Sequence, residues 1–186
     1  MNITIIGPRS AGKTTVSRIL AKKIKFTHIN YDDLMNKSLK EFGGLGKIIR
    51  DRNMEVLNVH ALKGVRETME KDGVLFDIGG GYLRAEDKQF KEDVNKAILS
   101  KSILIGLLPF EDEEESMKLL SAREKARPQY KDKAPEEIDK RSREHYPDVA
   151  KGMKEITKHL FYVGDKTPEE ISELLYNYIN KHILAE

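Results

Sequence analysis

Cysteine is absent from all 186 residues, which excludes a disulfide framework, a thiolate metal site and a cysteine nucleophile together. The chain suits a reducing compartment. Excess charge of one sign is also missing: 33 Lys and Arg stand against 31 Asp and Glu, a net charge of +2. No bulk field therefore draws it to nucleic acid or to an acidic membrane surface. No apolar run approaches the ~20 residues that span a bilayer. The opening Met1-Asn2-Ile3-Thr4-Ile5-Ile6 reaches Gly7 too soon, and without charge, to read as a signal peptide. The expectation is a cytoplasmic protein with no nucleic-acid or membrane partner, a monomer or weak homodimer. The five histidines (His28, His60, His145, His159, His182) show no metal-ligand spacing, so no zinc site is expected. Internal repeats and low-complexity linkers are lacking too.

What is present suffices for one core: 39% hydrophobic and 34% charged residues over this length point to one domain spanning residues 1–186. Residues 2–6 are β-branched and apolar and end at a glycine loop, and Val16, Ile19, Leu20 and Ile24 follow at helical spacing. Further strands are read at residues 27–30, at 74–78 before Gly79-Gly80-Gly81, at 102–108 and at 160–163. Helical patterning occupies residues 46–70 and 87–99. The last helix opens on Thr167-Pro168-Glu169-Glu170, a capping box with proline at its first position, and carries Ile171, Leu174, Leu175, Tyr178 and Ile179 on one face. Strands alternating with helices predict a three-layer α/β/α domain around a five-stranded parallel sheet. The acidic run Glu111–Glu115 is read as solvating a helix start, where negative charge suits the dipole.

The segment Gly7-Pro8-Arg9-Ser10-Ala11-Gly12-Lys13-Thr14 fills every fixed position of G-x-x-x-x-G-K-[ST], after a strand and before a helix. That context makes it a phosphate-binding loop. Backbone N–H groups of Gly7, Ser10, Ala11, Gly12, Lys13, Thr14 and Thr15 are expected to cradle ATP, Lys13 to reach the β- and γ-phosphates, and the Thr14 hydroxyl to ligate Mg²⁺. The length leaves no room for the extra modules of a motor, and no Asn-Lys-x-Asp run reads guanine. A small-molecule kinase is the favoured class. Strand-end carboxylates supply the rest of the chemistry. Asp32 and Asp33 both compete to accept a proton from an attacking hydroxyl, with helix capping as the ordinary alternative. Asp77 is either a ligand to Mg²⁺ through water or a buried, hydrogen-bonded acid.

In order and over nearly its whole length, the chain resembles the shikimate kinases. The motifs are the phosphate loop, His28-Ile29-Asn30-Tyr31-Asp32-Asp33 at the family's D-x-D position, and Arg50 within Ile49-Arg50-Asp51-Arg52. They continue with the triplet Gly79-Gly80-Gly81, Arg127-Pro128, and Arg141-Ser142-Arg143-Glu144-His145-Tyr146. The resemblance implies a P-loop kinase fold with a helical lid, related also to nucleoside monophosphate kinases, and a small hydroxylated acid such as shikimate as acceptor. Asp32 would orient or deprotonate the hydroxyl, and Arg50 would clamp the carboxylate. The triplet would let the substrate ring approach the backbone, and Arg127 would cover the transferring phosphoryl group. The family's first aspartate, on the Mg²⁺ side, is Asn30 here. Its second clamp arginine falls on Ser142, so either Arg141 or Arg143 serves, with Arg143 the chosen candidate, or the acceptor differs. The adenine-stacking arginine falls on Leu120 by direct count, and Arg123 substitutes for it if the lid is shorter.

Residues 31–70 are thus expected to form substrate-binding helices and residues 118–143 a lid. The latter hold nine basic side chains (Lys118, Arg123, Lys125, Arg127, Lys131, Lys133, Lys140, Arg141, Arg143) against five acidic ones. Two other readings stay open: a cytidylate-type nucleoside monophosphate kinase, and a regulator that binds ATP without consuming it.

Overall fold

The computed structural model describes residues 1–182, the side chain of Gln129 excepted; residues 183–186 of the expected domain lie outside the described residues. The strands are β1 (Asn2–Gly7), β2 (Thr27–Asn30), β3 (Val74–Gly79), β4 (Ser102–Leu108) and β5 (His159–Tyr162). They pair in parallel in the order β2-β3-β1-β4-β5. The helices are α1 (Lys13–Ile24), α2 (Tyr31–Ser38), α3 (Leu45–Arg50), α4 (Met54–Met69) and α5 (Lys88–Leu99), then α6 (Glu113–Lys125), α7 (Pro135–Ile156) and α8 (Pro168–His182). This is the three-layer parallel architecture that the alternating pattern predicts.

Strand alternation sends successive side chains to opposite faces. Ile3 and Ile5 of β1, Leu75 of β3, and Ile105 and Leu107 of β4 pack with Val16, Leu20, Ile171, Leu175 and Ile179 of α1 and α8. Ile6, Phe76, Ile78, Leu104 and Leu108 pack instead with residues of α2, α4, α5 and α7, including Met35, Val65, Val94 and Met153. Asp77 shares the parity of Leu75, so it belongs to the α1 face, at the carboxyl end of β3. The connections leaving β1 and β3 go to opposite faces of the sheet, which opens a crevice at the strands' carboxyl ends.

Several local expectations are met in detail. Thr167 and Glu170 form the reciprocal capping box, with Thr167 N–H donating to the Glu170 carboxylate at 2.7 Å and Glu170 N–H to the Thr167 hydroxyl at 3.3 Å. Asp112 caps α6 and leaves Glu113, Glu114 and Glu115 in its first turn, where they oppose the positive end of the dipole. Others need correcting. The helical pattern over 46–70 is divided between two helices, because Arg52 takes a left-handed φ of 53° between α3 and α4, a conformation no helix interior accepts. On α8, Leu174 is 39% exposed, so the buried stripe is Ile171, Leu175 and Ile179.

The expected lid segment is the second half of α6, a short 3₁₀ turn (Pro128–Tyr130) and the start of α7. It does not stand free of the body: α7 continues into the core through Tyr146, Val149, Ala150 and Met153. Pro147 lies inside that helix and cannot donate to the Arg143 carbonyl, which weakens the ladder between the lid half and the core half.

The glycine triplet divides by packing. A Cβ on Gly80 would lie 2.5 Å from Val149 Cγ1 and 3.5 Å from the Gly7 carbonyl oxygen, whereas Gly79 and Gly81 meet nothing within 4 Å. Gly80 therefore lets α7 seat against the phosphate loop. Gly80→Ala is expected to cost about 1–3 kcal/mol by overpacking, roughly 2–4 °C of melting temperature per kcal/mol at this size. Gly79→Ala and Gly81→Ala should leave thermal unfolding within about 0.5 kcal/mol of the parent. Equal losses at all three positions would refute the packing account.

Candidate functional site

The phosphate loop begins where β1 runs out of room. At Gly7 a Cβ would stand 2.6 Å from the Leu107 carbonyl oxygen, so only glycine lets β1 and β4 close up there. Ser10 and Gly12 then take left-handed φ values of 64° and 86°, turning the chain so that α1 starts at Lys13. Ala11 is buried, while the Thr15 side chain faces solvent. Helices α2, α4, α5 and α6 are capped by Asn30, Asn53, Asp87 and Asp112. By contrast α1 has no side-chain cap and no acidic residue in its first turn. Its orphan N–H groups and positive dipole end are left for an anion. Lys13 lies back over the loop, its Nζ donating to the Pro8 carbonyl at 2.9 Å.

Beside this loop three polar side chains meet. Parallel register places Asn30 of β2 next to Asp77 of β3, and Asn30 Nδ2 donates to Asp77 Oδ2 at 2.8 Å while lying 3.4 Å from Thr14 Oγ1. Asn30 Oδ1 meanwhile accepts the Asp33 N–H at 3.0 Å and so caps α2. Neither Asp32 nor Asp33 is the cap; both stand in the first helical turn. Two aspartates at positions 30 and 77 would repel at this distance, and the amide removes that repulsion by donating to the one carboxylate retained. Burial pushes the Asp77 carboxyl upward, but His28, Lys13, Thr14 and Asn30 outweigh it and hold it below the usual aspartate range. His28 Nε2 stands 3.9 Å from Asp77 Oδ2, an electrostatic rather than a hydrogen-bonded approach. Asp77 thus remains ionised at neutral pH. The Thr14 hydroxyl and Asp77 carboxylate are hard oxygen donors that suit Mg²⁺, an ion that keeps most of its shell in water and phosphate oxygens. Among the described residues no three His, Cys, Asp or Glu side chains form a metal-binding group.

Asp32 faces the same crevice from α2. It is open to solvent, yet its surroundings desolvate it enough to raise its carboxyl above the usual range, with Asp77 and Asp33 adding to the rise and Lys13 and Arg9 opposing it. Lys13 is lowered by burial, against the pull of Asp77 and Asp32, and Arg127 and Arg9 lower it further. Two carboxylates and three cations therefore act on one small volume above the loop. Arg9 had no role in the sequence reading because it occupies a free position of the motif; an arginine inside a glycine loop was the available signal. Glu124 was missed for a plainer reason. It is one acid among many on α6, and only the fold shows it to be buried at 4% exposure.

Other expected site residues lie apart from this cluster. Arg50 is exposed at the end of α3, its guanidinium close to Gly46 of the same helix. Arg143 is exposed and acts electrostatically on Asp139, one turn before it on α7, while Arg141 pairs with Glu124. His145 is pushed below its usual range by burial and by Arg84 and Arg141, with Glu144 and Glu124 opposing. Leu120 is core. Arg123 donates from Nη2 to the Gly164 carbonyl at 3.1 Å, at the loop after β5.

No helix among the described residues is long and apolar enough to cross a membrane. A family model described as an AAA domain, AAA_17, matches residues 6–139. A pentafunctional AROM polypeptide of Lodderomyces elongisporus is 29% identical over 147 residues, which are 78% of this chain and 9% of that polypeptide. An adenylate kinase of Flavobacterium johnsoniae is 27% identical over 190 residues, covering 97% of this chain and 98% of that one. The solved shikimate kinase of Acinetobacter baumannii, in complex with shikimate, superposes with a TM-score of 0.72 at 17% identity, covering 98% of this chain and 94% of that chain. The phosphate loop, the parallel sheet that carries it and the match over residues 6–139 agree, and the chain belongs to the AAA_17 family of AAA domains, with the P-loop fold of the shikimate kinases.

Proposed function

We propose that this protein is an ATP- and Mg²⁺-dependent small-molecule kinase that transfers the γ-phosphoryl group to a hydroxyl of a compact hydroxylated acid of the shikimate type. The observation that carries this reading is the convergence of Lys13, Asp32 and Asp77 beside the uncapped start of α1. The loop N–H groups and Lys13 hold the phosphates and stabilise charge that grows on them during transfer. Thr14 and Asp77 would hold Mg²⁺, which when bound neutralises charge between the β- and γ-phosphates. The acceptor oxygen forms its bond to the γ-phosphorus as the bond to the β-phosphate oxygen breaks, and the hydroxyl proton passes to Asp32. A carboxyl raised above its ordinary value is better matched to that task than a fully solvated one. Arg127, near Lys13, covers the transferring group.

The acceptor class rests on the open space at Gly79 and Gly81 and on likeness to a shikimate kinase in complex with shikimate. Arg50 and Arg143 would have to swing inward to grip a carboxylate, so their roles belong to a ligand-bound state. The adenylate kinase that matches nearly end to end supports a second reading, a nucleoside monophosphate kinase, with a phosphate in place of the carboxylate.

Turnover of ATP with shikimate, with each nucleoside monophosphate and with hydroxylated acids and sugars lacking phosphate separates these readings. Shikimate consumption at millimolar concentration is expected, and it should fall at least ~10²-fold in Lys13→Ala. Brisk turnover of a monophosphate without shikimate turnover would overturn the acceptor, and a Lys13→Ala protein with near-normal turnover would overturn the mechanism.

A pH profile tests Asp32. Because its carboxyl is raised above 3.8 by desolvation, it gains its proton at a higher pH than an ordinary aspartate. The acid limb of kcat/KM should therefore be centred above 3.8 and should disappear from the residual activity of Asp32→Asn. An unchanged limb in that variant assigns the proton to another group.

A further inference from the structure

Arg9 and Glu124 form a contact that the phosphate-loop motif does not require. Glu124 on α6 is buried, with a side chain only 5% exposed, and its Oε1 receives Arg9 Nε at 3.2 Å and the guanidinium of Arg141 on α7. Tyr130, in the turn between those helices and 8% exposed, has the Arg9 guanidinium 5.2 Å from its ring centroid on one contact and that of Arg141 at 5.2 Å on another. A buried carboxylate is costly unless it is fully paired; here two guanidinium groups pair it. The Arg9–Glu124 contact is an ion pair at Nε, and the planar fork carries four further N–H donors at its terminal nitrogens. Its side chain remains 56% exposed, and its charge bears on both Lys13 and Asp32. Those two residues bracket the region between the nucleotide's terminal phosphate and the acceptor.

We infer that Arg9 is a phosphoryl-contacting catalytic arginine supplied by the loop itself, and that Glu124 and Tyr130 on the lid segment are positioning residues that aim it. The inference rests on the proposed kinase function and adds a group to it. An arginine on a loop backbone has many rotamers. Fixing Nε on a buried carboxylate and stacking the fork on an aromatic ring removes most of them before nucleotide arrives. The same contact links the loop to the lid: the fork is aimed only while α6 and α7 are seated.

The test compares binding of Mg²⁺ with the β,γ-imido analogue of ATP and with ADP, by calorimetry, in the parent, Arg9→Ala, Arg9→Lys, Glu124→Gln, the Arg9→Ala/Glu124→Gln double variant and Lys13→Ala. Arg9→Ala should weaken the ATP analogue by about 10- to 150-fold, the loss of one charged hydrogen bond, and ADP by no more than about threefold. Arg9→Lys should not rescue it, because an ammonium cannot hold Glu124 and phosphate together. Glu124→Gln should weaken the analogue less than Arg9→Ala and add nothing in the Arg9→Ala background. In turnover the loss should fall on kcat, with the acceptor KM little changed. Unchanged analogue binding in Arg9→Ala, or a double variant as weak as or weaker than the product of the two singles, overturns the inference. Lys13→Ala keeps the two claims apart. If it loses both nucleotides while Arg9→Ala loses neither, the kinase reading stands without Arg9; normal binding in Lys13→Ala removes the nucleotide site itself.

Discussion

The hydrogen bond from Asn30 to Asp77, at 2.8 Å across the carboxyl ends of β2 and β3, is the contact on which the site's arrangement depends. A carboxylate in this crevice must stay ionised despite burial, and a second carboxylate beside it would raise its proton affinity instead. The amide avoids that repulsion and, with His28, Lys13 and Thr14, favours the ionised Asp77, while its carbonyl caps α2. One side chain therefore contributes to the charge state of the strand end and fixes the direction in which the next helix leaves. That helix presents Asp32 to Lys13. The departure from a D-x-D pattern at position 30 is thus compensated by an acid one strand away, and the donor set keeps one carboxylate and the Thr14 hydroxyl.

Opposite this floor lie α6 and the first half of α7. Their contacts mix apolar burial of Leu120 and Ile138 with charge: Glu124 with Arg9 and Arg141, and Asp139 with Lys125 at 2.7 Å and with Ser121. Ionic contacts exchange partners with phosphates more readily than apolar packing does, whereas the second half of α7 is held by apolar side chains. Pro147, where a helical hydrogen bond is missing, divides the two regimes.

The sheet was legible because its signals are local. β-branched runs, the glycine loop and the Thr167–Glu170 capping box each state their own conformation, and the strand limits differ from expectation by about one residue, well within the uncertainty of such boundaries. The break between α3 and α4 was not legible, because it rests on a left-handed Arg52, a residue type with no preference for that region. For the site, the motif named Lys13 and Thr14, and strand-end position pointed to Asp32 and Asp77. It could not reveal that Gly80 is required by Val149, that Arg141 is committed to Glu124, or that the charge of Arg9 acts on Asp32. Each of these depends on residues far apart in the chain. The arginines at positions 50 and 143 carry the family pattern in sequence but stand exposed in the structure, since long side chains at helix surfaces settle in water when no anion draws them in.

The central claim is that Asp77, kept ionised by His28, Lys13, Thr14 and Asn30 together, serves the metal side of a nucleotide site. Its most direct measurement is the affinity for ATP with and without Mg²⁺, by calorimetry, in the parent and in Asp77→Asn, a variant that can still accept the Asn30 hydrogen bond. The account predicts that Mg²⁺ tightens ATP binding in the parent and that most of this gain is lost in Asp77→Asn, with metal-free binding little changed. An equal Mg²⁺-dependent gain in both proteins would contradict it.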